Sequence, residues 1–174
     1  STDKTSLALQ KFKKNVKIIS NKKNQGLPKA LNNGIKKSKG RFIIRIDSDD
    51  YVNKDFLLLL LKFLRLNKHI DAVACDYYLV DDKEKIIQRV NCIRYPIACG
   101  ILFKTRNLVD IGLYDEDFLL NEEKDLRIRF LKKYTIGRVE KPLYRYRQHK
   151  NSLTTNKIKK KSYDIKLKKK YAKK

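Results

Sequence analysis

The stretch Gly40–Asp50 reads G-R-F-I-I-R-I-D-S-D-D, an apolar run that ends in three carboxylates within four positions. Its bulky, β-favouring side chains are nearly continuous, which is typical of a strand covered on both faces in a parallel sheet. The ligand crevice of an open α/β sheet lies beyond the carboxyl ends of its strands, so we expect Asp47, Asp49 and Asp50 to face it. Neighbouring carboxylates repel one another, and Mg²⁺ or Mn²⁺ compensates them by binding carboxylate, phosphate and water. The stretch therefore predicts a site for a metal ion and a diphosphate.

The same carboxylates have a plainer interpretation, a solvated turn in which Asp50 or Asn53 caps the next helix. The preceding residues favour the crevice. Val16–Ser20 reads V-K-I-I-S and predicts a short strand, and residues 28–39 predict a helix that begins with a proline and stops at Gly40. Strand, loop, helix and strand in this order predict a βαβ crossover whose strands are parallel neighbours.

The rest of the chain alternates helices and strands without an internal repeat. Apolar spacing predicts a helix within Ser1–Lys14 and a leucine-rich helix over 54–66, apolar nearly all round and therefore well buried. Ala72–Val80 and Lys85–Val90 predict a hairpin across the turn D-D-K-E. The remaining predictions are an apolar segment over 96–104, a short helix over 107–111, a helix over 121–134 with an acidic first turn, and short strands over 136–139 and 143–146.

Composition and charge fit one ordinary domain with a basic end. The chain has 174 residues, of which 41% are hydrophobic, and a formal net charge of +24. Residues 157–174 hold ten lysines and one aspartate, so part of this charge lies in a tail that we expect to be separable from the fold. The scatter of the other lysines favours attraction to an anionic membrane or polyanionic substrate over nucleic-acid binding. The tail is interpreted either as a weakly amphipathic membrane-binding segment or as a disordered solubilising one.

The cysteines bear on the compartment. Cys75, Cys92 and Cys99 are an odd number without metal-binding spacing, which predicts reduced thiols in the core of a cytoplasmic protein. The start is polar and no apolar run approaches the roughly 20 residues that cross a bilayer. We therefore expect a cytoplasmic protein, with peripheral contact on the inner face of the plasma membrane as the role of the basic tail.

Four spaced blocks of sequence resemble the family 2 glycosyltransferases of GT-A fold. The blocks are N-x-G-x-x-x-A-x-N-x-G with S-x-G behind it over residues 24–40, D-S-D-D over 47–50, I-G-L-Y-D-E-D-F over 111–118 followed by N-E-E-K-D-L-R-I-R over 121–129, and L-Y-R-Y-R-Q-H-K-N-S-L-T over 143–154. The resemblance implies a Rossmann-like α/β fold, a mixed, mainly parallel sheet flanked by helices. It divides the chain into a glycosyltransferase domain over 1–154, with a donor and metal half over 1–95 and an acceptor half over 96–154, and a basic tail over 155–174.

The resemblance implies transfer of a sugar from a nucleotide-diphospho-sugar to an acceptor hydroxyl, with inversion and with Mg²⁺ or Mn²⁺ as cofactor. The acceptor would be a glycan or a lipid-linked molecule in surface polysaccharide synthesis. Asp49 is the expected direct metal ligand, Asp47 lies nearer the ribose or the metal, and Asp50 supports them. His149, and Arg145 or Arg147, are expected near the metal or the diphosphate, although a solvated loop histidine is an equal interpretation. The donor-binding residues are expected to be Asn24, Gly26, Asp47 and Arg147.

The catalytic base is expected in the segment N-E-E-K-D-L-R. An acceptor hydroxyl loses its proton as it attacks, so a carboxylate must stand opposite the leaving diphosphate. The resemblance places the base at Glu123, where the family usually has an aspartate, one methylene shorter. Asp125 is an alternative base, and a helix whose first turn is merely rich in acids is the structural alternative.

The family pattern usually begins before the first residue of this sequence. Its members open with a strand of the type V-S-V-I-I-P-x-Y-N, a helix, and a second strand that ends in D-D-G-S-x-D-x-T. The segment S-T-D-K-T at residues 1–5 is similar to the end of that last motif. We therefore expect a GT-A domain without its first two strands, and the alternative functions are an inactive glycosyltransferase remnant or a basic binding module.

Overall fold

The computed structural model describes residues 4–21, 23–148 and 157–172, without the side chains of 157–160. The helices are α1 (Thr5–Gln10), α2 (Leu27–Lys37), α3 (Phe56–Leu66), α4 (Thr105–Asp110), α5 (Glu122–Leu131) and α6 (Lys157–Ala172). The strands are β1 (Phe42–Ile44), β2 (Tyr51–Val52), β3 (Ala72–Val80), β4 (Ile86–Val90), β5 (Ile101–Lys104) and β6 (Ile136–Arg147). Most elements predicted from local sequence are present, including the hairpin of β3 and β4. Among the described residues, no helix combines the length and the apolar composition that crossing a bilayer requires.

The strands form one mixed sheet in the order β1-β5-β3-β6-β2, with β4 paired to β3. Strands β3 and β6 are parallel, whereas β1 with β5, β3 with β5, β2 with β6 and β3 with β4 are antiparallel. The mixed α/β class with flanking helices is confirmed. The expectation of mainly parallel pairing is not met among the described strands, because β1 has β5 as its neighbour and the two run in opposite directions.

The predicted strand at Val16–Ser20 is wrong. These residues have irregular backbone, and Val16 and Ile18 are exposed by 46% and 39%. A strand needs a partner for its backbone groups, and no described strand pairs with residues 16–20. The βαβ crossover is therefore not formed in the described part of the chain. Strand β1 pairs only with β5 among the described strands. All of its residues are half-buried, so the expectation of two covered faces is also wrong.

The core lies between the sheet and one face each of α2, α3, α4 and α5. Helix α2 begins after Gly26 with a proline in its first turn and buries Pro28, Asn32 and Ile35, whereas Ala30 is exposed. Helix α3 buries the single row Phe56, Leu60 and Leu64. Its neighbours Leu57 and Leu58 are exposed by 46% and 52%, so the prediction of a helix buried all round is wrong. Residues spaced four apart lie on one face of a helix, and in α3 this is the face that packs against the sheet.

The last strand is longer than predicted, since Ile136–Arg147 runs as one strand through Pro142. The pairing with β3 is irregular at this point, where Asp76 stands opposite Pro142. Proline lacks a backbone N–H, so it sits where the ladder is already interrupted. The sequence therefore predicted two strands, whereas the structure has one strand with an irregularity at Pro142.

The basic segment is a helix packed on the domain, and the separable tail expected from its lysines is wrong for α6. Asp164 accepts hydrogen bonds from the Lys124 Nζ at 2.8 Å and the Asn121 Nδ2 at 3.0 Å. Lys166 Nζ donates to the carbonyl oxygen of Asp117 at 2.7 Å. A run of lysines resembles a solvated tail when read alone, but the acidic residues around 115–125 supply its partners.

Candidate active site

The turn that follows β1 holds its carboxylates at different depths. The Asp50 amide donates to the Asp47 carbonyl oxygen at 3.1 Å, which closes the turn. Asp50 then accepts hydrogen bonds from the Tyr144 hydroxyl at 2.6 Å and from the Arg147 backbone N–H at 2.9 Å. Burial raises the pKa of Asp50 above its usual range, although these hydrogen bonds act in the opposite direction. Asp49 lies exposed in the same turn.

A group with metal-binding capacity lies at this turn. One carboxylate oxygen each of Asp47 and Asp50 and the Cys99 Sγ lie within 4.8 Å of one another. Burial raises the pKa of the Cys99 thiol, so it is protonated at neutral pH and is a poor ligand for a hard cation. The two carboxylates supply the hard oxygen atoms, and each oxygen has more than one lone pair. This donor set fits Mg²⁺ or Mn²⁺ with positions left for other ligands.

The predicted metal ligands are only partly located by the structure. It places Asp47 in the group just described, with Asp50 rather than Asp49 as the second carboxylate. Asp49 as a metal ligand stays a prediction. His149 lies outside the described residues.

Arg45 is a site residue that the sequence analysis missed. Its side chain is 14% exposed, with Nε and Nη2 at 2.6 Å and 3.0 Å from the two Asp47 carboxylate oxygens and Nη1 at 3.1 Å from Glu122 Oε1. Burial by itself would lower the pKa of Arg45, but the hydrogen bond and charge of Asp47 and the charges of Tyr114 and Glu122 raise it. An arginine inside an apolar run two residues before an acidic cluster was the available signal. Arg45 joins the end of β1 to the start of α5.

The three acids at the start of α5 have separate environments. Glu122 is buried, and burial followed by the charge of Glu123 raises its pKa. Asp125 is fully buried and binds Arg129 at 2.7 Å, Lys170 at 2.6 Å and the Tyr171 hydroxyl at 2.7 Å. Glu123 is half-buried and has no hydrogen-bond or ion-pair partner among the residues that the structure describes. Of the two bases considered, only Glu123 retains an uncommitted carboxylate.

Glu123 lines a cleft with a volume of about 310 Å³. One wall is the loop that precedes β5, including Tyr95 and Pro96, and the other is the buried face of α5, including Leu126. Tyr114 also reaches the cleft. A half-open space with mostly apolar walls and one carboxylate can hold an organic ligand next to a proton acceptor.

The segment before α2 is shaped by its glycine. Asn24 Oδ1 accepts a hydrogen bond from the Gly26 N–H at 3.0 Å, and Gly26 has a φ of +86°. A Cβ at Gly26 would lie 2.6 Å from the Leu119 Cδ2, so the position requires glycine for its backbone and for the approach of the loop. Asn24 is exposed beside it. Binding of a donor by these residues stays a prediction.

Arg147 is the remaining predicted donor residue. Its Nη2 lies 3.1 Å from Glu84 Oε1, and its guanidinium stacks over the Tyr51 ring with 5.7 Å to the centroid. The Nε atom is buried and has no hydrogen-bond partner within the described residues. Its backbone N–H holds Asp50, so Arg147 contributes to the acidic turn through its main chain.

Asn32 connects two of the motif blocks. Its Oδ1 accepts the Tyr114 N–H at 3.0 Å, and its Nδ2 donates to the Tyr114 carbonyl oxygen at 2.9 Å and to Glu116 Oε1 at 3.1 Å. The side chain is buried and all of its hydrogen-bonding atoms are used. Arg129 holds the same loop from α5 through the Leu113 carbonyl oxygen at 2.7 Å. The asparagine and the arginine of the motifs are therefore structural residues that hold the loop over 111–118.

A mixed sheet with flanking helices and acids at the end of an edge strand fits the GT-A class of α/β fold. The family model described as glycosyl transferase family 2 matches residues 1–118, and the chain belongs to this family. An uncharacterised glycosyltransferase of Rickettsia conorii is 32% identical over 161 residues, which are 84% of this chain and 26% of the relative. The poly-beta-1,6-N-acetyl-D-glucosamine synthase of Staphylococcus epidermidis is 24% identical, over 70% of this chain and 34% of the relative.

Two solved structures show the same fold. The mannosyltransferase PcManGT of Pyrobaculum calidifontis, in complex with GDP-Man and Mn²⁺, has a TM-score of 0.73 at 16% identity and covers 100% of this chain and 53% of its own. TarS residues 1–349 of S. aureus, in complex with UDP, has a TM-score of 0.69 at 23% identity and covers 85% of this chain and 48% of its own. The chain spans about a quarter of the length of the first curated relatives it matches.

Proposed function

We propose that this chain is the catalytic part of a metal-dependent, inverting glycosyltransferase that transfers a sugar from a nucleotide-diphospho-sugar to an acceptor hydroxyl. The observation that carries the proposal is the Arg45 link between Asp47, beside the acidic turn, and Glu122, next to Glu123 in the cleft. One rigid arginine fixes the spacing of the two acidic groups that a single displacement needs on opposite sides of the sugar. Membership of glycosyl transferase family 2 supports the same reaction.

The proposed reaction is one displacement at the anomeric carbon. The acceptor oxygen attacks from the side of the cleft, and Glu123 takes the acceptor proton. The new bond between the acceptor oxygen and the anomeric carbon forms as the bond to the diphosphate oxygen breaks, and the electron pair leaves with the diphosphate. The configuration at the anomeric carbon is thereby inverted. Glu122 and Asp125 are tied to Arg45 and Arg129 and hold α5 rather than exchange protons.

The donor side belongs to the acidic turn. Asp47 and Asp49, with His149, would hold Mg²⁺ or Mn²⁺, which neutralises the charge that develops on the leaving diphosphate. Asp50 keeps the turn in place through its bonds with Tyr144 and the Arg147 main chain, and its carboxylate beside Asp47 would add to the attraction for the ion. Asn24 and Gly26 would line the nucleotide, and the Arg147 guanidinium would approach the diphosphate. One structural neighbour is a complex with UDP and the other a complex with GDP-Man and Mn²⁺, which supports a nucleotide-sugar donor.

The proposed setting is surface polysaccharide or glycan synthesis on the cytoplasmic side of a membrane. A similar sequence is named as a polysaccharide synthase, which supports a glycan or lipid-linked acceptor. Lys161, Lys168 and Lys169 are exposed on α6 and would attract anionic lipid. Residues 1–95 would form the donor half and residues 96–154 the acceptor half of the site.

Calorimetric titration of UDP, GDP and dTDP into the purified chain, with and without Mn²⁺, tests the proposal. We expect one nucleotide to bind only with Mn²⁺, and Asp49→Ala to abolish that binding. Asp82→Ala, in the exposed turn of the β3–β4 hairpin, removes the same charge elsewhere and should leave binding unchanged. A chain that is folded by circular dichroism and binds none of the three nucleotides would contradict the proposed function.

A further inference from the structure

We propose that the cleft beside Glu123 binds an acceptor that carries a phosphate ester on an apolar body, and that Arg127 is the residue that binds the phosphate. The inference rests on the proposed function and names the acceptor class of that site. It is drawn from the charges and the lining of the cleft. Arg127 would then select the acceptor, while Glu123 would act on its hydroxyl.

Arg127 is a half-buried cation without a counter-charge among the described residues. Among the residues that the structure describes, the buried Nη1 atom has no hydrogen-bond partner and no carboxylate forms an ion pair with the guanidinium. Burial lowers the pKa of Arg127 from its ordinary value. A guanidinium that loses water without gaining a partner destabilises the folded protein. Because Arg127 lines an open cleft, an anion bound there would supply the missing partner.

The other charges of the cleft leave it positive. Glu123 and Arg127 are four residues apart on α5, which places them on one face, and both line the cleft. Arg94 lines the opposite wall and has no ion-pair partner within the described residues. Lys124 is neutralised by Asp164 of α6 at 2.8 Å. Two uncompensated cations therefore face one carboxylate, so the cleft attracts an anion and keeps a base beside it.

The walls between these charges are apolar. Pro96, Ile97, Leu126 and Ile136 line the cleft, whose volume of about 310 Å³ is that of a site for a small organic molecule. A free inorganic phosphate would leave these walls in contact with water, whereas a chain or ring attached to the phosphate would cover them. Arg127 can bind a phosphate through two parallel N–H donors, which fixes the orientation of such a ligand.

Octyl phosphate is the probe, and octyl β-glucoside and inorganic phosphate are the comparisons. Each is titrated into the full chain in the presence of Mn²⁺ and the nucleotide that binds best, with calorimetric or NMR detection. We expect octyl phosphate to bind at least ten-fold more tightly than either comparison. Arg127→Met should weaken octyl phosphate binding at least ten-fold. Arg127→Lys should weaken it less, because lysine keeps the charge but lacks the two parallel N–H donors.

Arg106→Met is the matched control, because Arg106 is exposed on α4 and does not line the cleft. It should leave octyl phosphate binding unchanged. Arg127→Met should also keep or raise the melting temperature, since it removes an uncompensated, half-buried charge; loss of a structural arginine would lower the melting temperature.

Three results would overturn the inference: no binding of octyl phosphate to the wild type, equal binding by Arg127→Met, or equal binding of octyl β-glucoside. Nucleotide binding separates these results from a failure of the proposed function. A chain that binds nucleotide with Mn²⁺ but not octyl phosphate keeps its donor site and refutes the acceptor class alone. If Arg127→Met does not fold, Arg127→Lys and the two comparison ligands decide the question.

Discussion

Two carboxylates of the molecule, Asp50 after β1 and Asp125 in the first turn of α5, are held by different kinds of partner. At the end of β1, Asp50 is bound by a tyrosine hydroxyl and a backbone N–H, and no cationic side chain pairs with it in the described part of the chain. At the start of α5, Asp125 is bound by Arg129 and Lys170 as well as a tyrosine hydroxyl. Neutral donors fix a carboxylate without cancelling its charge, whereas cations fix it and cancel the charge.

This difference separates carboxylates that remain available to a ligand from those that hold the fold. Asp47 is paired with Arg45, but the charge of Asp50 beside it is not cancelled, so a cation at the turn would lower the energy of Asp50. The charge of Asp125 is already compensated, so binding of a further cation there would be only weakly favourable. Glu123 belongs to neither group, because it lies in the cleft without a partner in the described residues. The number of acids in a segment therefore says less about function than the partners of each acid.

The largest effect is expected for Glu123→Gln, which removes the proposed base but keeps its size. Turnover should fall by about 10²- to 10⁴-fold, the usual contribution of a general base. The measurement is release of nucleotide from the sugar donor whose nucleotide the titration identifies, and nucleotide binding itself should not change. Glu140→Gln, at a side chain that is 75% exposed, is the control. Glu123→Asp should keep part of the turnover. Full activity in Glu123→Gln would show that another residue is the catalytic base.

Asp125→Ala should have the next largest effect, and on stability. It leaves the half-buried Arg129 without its carboxylate and removes the partner that Lys170 and Tyr171 bind on α5. We expect a loss of about 3–5 kcal/mol in the free energy of unfolding, measured by urea denaturation. Asp117→Ala, nearby and exposed, should change it by less than about 0.5 kcal/mol. A small loss in Asp125→Ala would show that its cations are not needed to hold α5.

Asp76, outside both clusters, should give a smaller effect that depends on pH. Burial alone would raise its pKa, but the hydrogen bonds of Arg138, Arg89 and the Cys92 amide lower it from 3.8 to about 2. This lowered pKa stabilises the fold above pH 4, and the stabilisation is lost as the pH falls through 2. We expect the loss of about 2 kcal/mol between these values, measured by urea denaturation at each pH. Asp76→Asn should remove this dependence, and an unchanged slope would contradict the assignment.

Local signals in the sequence were sufficient for much of the fold. The turn D-D-K-E predicted the hairpin of β3 and β4, and Gly26, Pro28 and Gly40 marked the ends of α2. Strand pairing was predicted less well, because it depends on residues far apart in the chain. The partner of β1 is β5, some sixty residues later, and V-K-I-I-S at Val16–Ser20 has suitable residues for a strand but no described partner.

In the candidate site, too, local features could be predicted from sequence and contacts between distant residues could not. The acids at 47–50 and 122–125 could be found from sequence because carboxylates concentrate there. Their partners could not, since Arg45 looks like one more strand residue until α5 places Glu122 beside it. Lys170 looks like one lysine among ten until α6 packs on Asp125. The sequence identifies the acids, and the tertiary contacts decide which of them are already neutralised.

Asn32 and Tyr114 are 82 residues apart, and their buried hydrogen bonds give the folded chain an internal reporter. The Tyr114 amide proton is bound by the Asn32 side chain rather than by a strand or helix. It can exchange with solvent only when α2 separates from the loop over 111–118, or when the whole domain unfolds. The hydrogen-exchange rate of this one proton therefore measures how often α2 and the loop over 111–118 separate.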